Sequence, residues 1–138
     1  MERERTRSAL FSPALDLATG VPAYRQIIDQ VLGAIASGTL SGGDQLPTVR
    51  QLAVDLSINP NTVVRAYREL EIRGILTTQQ GIGTFVTTQP VPVDEAVRQR
   101  QLDQLIGDLL ARAGAAGLSA DEIVARLQEF INEQRGIS

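Results

Sequence analysis

The sequence predicts a mostly α chain with one small β-hairpin. Three observations carry this. Apolar residues recur at helical spacing in five segments, Gly and Pro punctuate the gaps between them, and one short Thr- and Val-rich stretch alternates around a Gly-containing turn. The expected division is an N-terminal arm over 1–20, a compact domain over 21–87, a linker over 88–93 and a two-helix region over 94–138.

The arm mixes charge, Ser, Pro and Gly, and Leu10, Phe11 and Leu15 could tuck against the core. After Pro22, Tyr24, Ile27, Ile28, Val31, Leu32 and Ile35 form one apolar stripe of a helix, which Gly38 ends. Gly42, Gly43 and Asp44 signal a turn. Thr48 with Gln51 fits a capping box opening a short second helix, whose apolar face is Val49, Leu52, Ala53 and Leu56. Asn59 is suited to N-cap the third helix, and Pro60 then falls at its first position, where a missing N–H costs nothing. Gly74 stops it. Strands are expected over 75–79 and 83–87, around a turn containing Gly81 and Gly83. A fourth helix is expected from Asp94 to Ala113. Ser119 and Glu122 form a second capping box, which opens the fifth helix.

On a helical wheel the third helix divides cleanly. Val63, Ala66, Tyr67 and Leu70 fall on one side, and Asn61, Val64, Arg65 and Arg68 on the other. A row of donors near the start of the second of two tightly joined helices is the pattern of a helix-turn-helix, whose second helix enters the DNA major groove. The following hairpin makes it a winged helix-turn-helix, with glycines that let backbone approach a phosphate. A merely solvated helix face is the plain alternative. A winged helix used only for protein contacts is the rival function.

Composition narrows the choices further. There is no Cys or His, which removes disulfides, thiol chemistry, Cys/His metal sites and imidazole catalysis. No nucleophile–base pair or phosphate-binding loop appears, and "GIGTFV" lacks the spacing of a dinucleotide loop. No enzyme, metal or cofactor is therefore expected. No apolar run nears the roughly 18 residues of a membrane span. The opening residues lack the apolar core of a signal peptide, and the absence of cysteine favours a reducing cytoplasm. The net charge of -3 resides in residues 88–138, whereas 22–87 balance five arginines against five acids. That argues against a nonspecific DNA coat but permits a reader with a few placed arginines.

The stretch "LPTVRQLAVDLSINPNTVVRAYRELEIRGILTTQQGIGTFV", Leu46 to Val86, resembles the DNA-binding domain of the GntR family of bacterial transcription regulators. The preceding "PAYRQIIDQVLGAIASGTLSGGDQ" continues the likeness, and "PAYRQI", "INPNTV" and "RAYRELE" resemble the YtrA-type subfamily, which ends in a short two-helix region. The resemblance implies DNA contact by Arg50, with Thr48 capping that helix and touching phosphate. It implies that Asn59, Asn61 and Thr62 meet phosphate or base edges, and that Gln80 and Gly81 form a wing tip reaching the minor groove. Val64 stands where several branches of the family carry a base-reading arginine. Base reading is therefore assigned to Arg65 and Asn61, with Val64 against a thymine methyl. Arg50 has a simpler alternative, a surface ion pair with Asp55 or Glu69.

Leu102, Leu105, Ile106, Leu109 and Leu110 of the fourth helix, and Ile123, Val124, Leu127, Phe130 and Ile131 of the fifth, form apolar faces. The two helices can pack on each other, yet they have no third layer. A homodimer would cover them and would set two reading helices about 34 Å apart on a palindromic duplex operator. Folding back on the winged helix is the alternative. The expectation is thus a cytoplasmic, homodimeric repressor, and no polar cluster points to a small-molecule effector.

Overall fold

The computed structural model describes residues 15–88 and 94–136, which fall into two compact units divided between residues 89 and 90. Leu10, Phe11 and most of the expected linker lie outside the described residues.

The first unit begins with a short 3-10 turn, Leu17–Thr19, capped by Asp16. Gln26 anchors this lead-in to the first helix. Its amide accepts from Asp16 N at 2.7 Å and donates to Asp16 O at 2.8 Å and Val21 O at 2.9 Å. Leu15 packs partly buried against the core, as expected. Helix α1, Ala23–Ala36, buries Ile27, Ile28, Val31 and Ala34. Helix α2, Val49–Leu56, buries Leu52 and Ala53, and α3, Pro60–Ile72, buries Val63, Ala66, Tyr67 and Leu70. With Leu40, Leu46, Leu76 and Val86 these make one continuous core. Tyr67 is a core residue whose hydroxyl donates to Pro47 O at 2.8 Å, and burial pushes its phenol pKa far up.

The caps account for the helix ends. Asn59 accepts from Asn61 N at 2.8 Å with Pro60 at the first position, and Gly74 ends α3 at φ 76. Thr48 caps α2 by accepting from Gln51 N at 3.1 Å. The return half of that expected box is absent. The Gln51 amide donates instead to Asp55 at 2.8 Å, one helical turn ahead. The turn between α2 and α3 places Ser57 at φ 55, the one non-Gly residue with positive φ among those described.

Strands β1, Leu76–Gln79, and β2, Gly83–Val86, pair antiparallel from Leu76 opposite Val86 to Gln79 opposite Gly83, each a residue shorter than expected. The expected Gly42–Gly43–Asp44 turn forms, closed by Asp44 N–H donating to Ser41 O at 3.0 Å, and the residues that follow it bridge to the sheet. Gln45 bridges to Phe85, Leu46 N–H donates to Thr84 O at 2.8 Å, and Val86 N–H donates to Asp44 O at 2.8 Å.

The second unit holds α4, Glu95–Ala115, and α5, Ala120–Gln134. Asp94 caps α4, which runs two residues past its expected end, and both halves of the Ser119–Glu122 box are formed. The helices touch over only a short stretch, and Ala113 is the one buried residue among those described in this unit. No helix of the described residues is long and apolar enough to cross a membrane.

Candidate nucleic-acid interface

The amphipathic division of α3 sets the site. Its buried side is pinned by α1 and α2, so the opposite side must face outward. Asn61, Val64, Arg65 and Arg68 line one shallow groove of about 370 Å³, together with Glu69 and Ile72. Asn61, Arg65 and Arg68 are exposed, while Val64 and Thr62 are half-buried. The sequence placed four of these six residues on one face. Glu69 and Ile72 follow at the spacing that continues the row.

The cations differ in what holds them. Arg50, exposed in the first turn of α2, makes no hydrogen bond or ion pair among the described residues, and neither does Arg68. The expected competitors of Arg50 are engaged elsewhere: Asp55 accepts from Gln51 at 2.8 Å, and Glu69 pairs with Arg73 at 3.2 Å. Arg73 thus serves Glu69 as an ion-pair partner one helical turn away. Arg65 lies 3.8 Å from the ring centroid of Tyr24, on α1. On its far side a second hollow, about 270 Å³, is lined by Tyr24, Arg25, Ile28, Asp29, Arg65, Glu69 and Arg73. Tyr24, which its place in the α1 stripe marks as core, packs half-buried against the core and also borders this hollow.

Thr48 is exposed at the start of α2, its hydroxyl oxygen occupied by the cap. Asn59 is exposed and likewise spends one side-chain oxygen on its cap. Gln80 and Gly81 sit apart from these, at the exposed wing tip. There Ile82 N–H closes the turn onto Gln79 O at 2.9 Å and Gly81 takes φ 80, a conformation that favours glycine. The turn is held from behind by the Gln45 amide, which donates to Ile82 O at 3.3 Å. One residue before the turn, Thr78 donates to the Glu71 carboxylate, joining β1 to α3. Among the described residues no cluster of His, Cys, Asp or Glu could hold a metal ion.

The model of the bacterial regulatory proteins of the gntR family matches residues 23–86, from the start of α1 to the end of β2. The HTH-type transcriptional repressor YtrA of Bacillus subtilis (strain 168) is 36% identical over 126 residues, which covers 88% of this chain and 94% of that protein. The uncharacterized HTH-type transcriptional regulator YhcF of the same strain is 33% identical over 109 residues, 79% of this chain and 89% of that one. Among solved structures, a transcriptional regulator from Oenococcus oeni superposes with a TM-score of 0.55 at 33% identity, covering 86% of this chain and 98% of the other. YtrA from Sulfolobus acidocaldarius, a GntR-family transcription factor, gives a TM-score of 0.52 at 34% identity over 70% of this chain and 94% of its own. The chain belongs to the GntR family of bacterial regulatory proteins, on its YtrA-type branch, as a transcription regulator with a helix-turn-helix DNA-binding domain and not as an enzyme.

Proposed function

We propose that the protein is a cytoplasmic, homodimeric repressor of a two-fold symmetric operator. One observation carries the reading of DNA: the outward side of α3 presents Asn61, Arg65 and Arg68 around a single groove, opposite a side that is wholly core. A helix so divided can enter a major groove without disturbing its own fold. In this reading Arg65 and Asn61 meet base edges and Val64 meets a thymine methyl. Arg50, Arg68, Thr48, Asn59 and Thr62 bind the backbone, and Gln80 and Gly81 enter the minor groove.

The dimer is supported by the exposure of the second unit. Leu105 is 68% exposed, Val124 67% and Phe130 49%, on helices that offer each other little cover. Residues 94–138 would then serve as the dimerisation region, with Leu102, Ile106, Leu109, Leu110, Ile123, Leu127 and Ile131 in the same seam.

Selection of bound duplexes from a random pool tests the whole reading, and a site of two inverted halves is the expected product. On that site Arg65→Ala should cost about 1–3 kcal/mol and relax the preference at one base pair in each half. Unchanged affinity and preference in a gel shift would remove Arg65 from the reading set. A best site lacking symmetry would remove the dimer.

A further inference from the structure

We propose that Tyr24 is a positioning residue for Arg65, holding its guanidinium ready for a base edge before DNA arrives. The inference rests on the reading of Arg65 as a base-contacting residue and adds the element that orients it.

An exposed arginine on a helix samples many rotamers and presents its N–H fork in no fixed direction. Two kinds of neighbour can restrain it. A carboxylate would do so by occupying the fork, leaving fewer donors for a base. An aromatic ring would do so through the guanidinium face, leaving the N–H edge free. The protein uses the second arrangement, with the Arg65 guanidinium carbon 3.8 Å from the Tyr24 centroid.

The acids that could have used the first arrangement do not. Glu69, one turn along α3, is drawn away to Arg73 at 3.2 Å. Asp29 shares the hollow with Arg65 and forms no ion pair among the described residues. The ring is itself steady. Tyr24 lies in the first turn of α1 and packs half-buried against the core, so its position is set by the core rather than by the arginine. Arg65 borders both the Tyr24 hollow and the groove lined by Asn61, Val64 and Arg68, so the stack stands at the edge of the groove. Among the described residues Arg50 and Arg68 have no such platform, which suits contacts to phosphate, where charge matters more than direction.

The test measures discrimination in the full-length protein, between the selected duplex and its single-base-pair variants, for Tyr24→Leu, Tyr24→Phe, Arg65→Ala and the Leu/Ala double variant. Tyr24→Leu should lose about two- to fivefold of the preference at the base pair that Arg65→Ala relaxes, with the salt slope unchanged. Tyr24→Phe should match the wild type, and Tyr24→Leu should cost nothing further once Arg65 is alanine. Equal losses on every duplex, the same loss in the Arg65→Ala background, or a loss in Tyr24→Phe as large as in Tyr24→Leu would overturn the proposal.

Should Tyr24→Leu not fold, the wild-type protein decides by NMR. A ring-current-shifted Arg65 Nε–H supports the stack, and a resonance at the position of a free arginine overturns it. An Arg65→Ala protein that binds DNA with unchanged preference sinks the base-reading role, and the positioning role with it. The NMR shift would still report whether the stack exists, so the two failures are told apart.

Discussion

Ile27, Val31, Leu52, Val63 and Leu70 of the first unit are completely shielded, whereas Leu102, Ile106, Leu109 and Leu127 of the second stand 44–50% open. Both groups sit on helices that carry an apolar stripe, that of α4 being the less sharply segregated. The difference lies in layers. In the first unit α1 and α2 pack on α3 and the small sheet closes the remaining side, so each apolar stripe meets another. The second unit has two helices with little mutual contact, and a single layer cannot bury its own face. Amphipathic periodicity therefore reports that a face is to be covered and leaves open what covers it. One half of the chain is finished by folding, and in our reading the other is finished by association.

The contrast can be broken most forcefully at Leu109, which is 44% exposed. Leu109→Asp should leave the first unit folded and turn the proposed dimer into a monomer in sedimentation. Operator affinity should fall by about a hundredfold or more, because the two half-sites would no longer be gripped together. A variant that remains dimeric rules out this seam.

A mutation in the closed unit should behave differently, destabilising it without altering the oligomer. Tyr67→Phe removes the donor to the buried Pro47 carbonyl and should cost about 1–3 kcal/mol in denaturant unfolding. The same substitution sharpens a pH effect. Burial raises the Tyr67 pKa in the folded state above its value of 10.0 in the open chain. The neutral phenol is the form the fold favours, so its contribution is fully present below about pH 10 and is lost as pH rises further. Tyr67→Phe should remove this part of the alkaline loss. An identical pH profile in the two proteins would place the alkaline sensitivity elsewhere.

The smallest effect concerns the turn between α2 and α3. Ser57 holds φ 55, a left-handed conformation that disfavours a side chain, and its hydroxyl makes no hydrogen bond among the described residues. Ser57→Gly should relieve that strain and, after the added freedom of the unfolded chain, stabilise by about 0.5–1 kcal/mol. Thermal unfolding would register this as a modest rise in midpoint. A fall would mean that the serine hydroxyl supports the turn.

Much of the first unit is readable from the sequence because its signals are local. Asn59 and Pro60 announce the start of α3, Gly74 its end and Gly81 the wing turn, each by a rule spanning a few residues. The face carrying Asn61, Val64, Arg65 and Arg68 follows from spacing alone. What escapes the sequence involves competition or distance. Gln51 had two partners within reach, the backbone at Thr48 and the carboxylate of Asp55 at i+4, and took Asp55. The pairing of Gln45 with Phe85 joins residues far apart in the chain, and the adjoining Gly-Gly-Asp cluster hides it behind a turn signal. Tyr24 counts as apolar in a periodicity search, so its second role as a platform for Arg65 appears only when α1 and α3 are side by side.

The isolated bridge from Gln45 to Phe85 has a mechanical consequence. Residues 44–46 are stitched to β2, and Thr48, two positions later, opens α2. Hinging the wing away from α2 would tear the Asp44–Val86 and Leu46–Thr84 backbone links, so the hairpin and the helix pair move as one jaw. A jaw that is already set grips a duplex with little further loss of chain entropy, and its heat-capacity change on binding should be that of two rigid surfaces meeting rather than of a segment folding onto DNA.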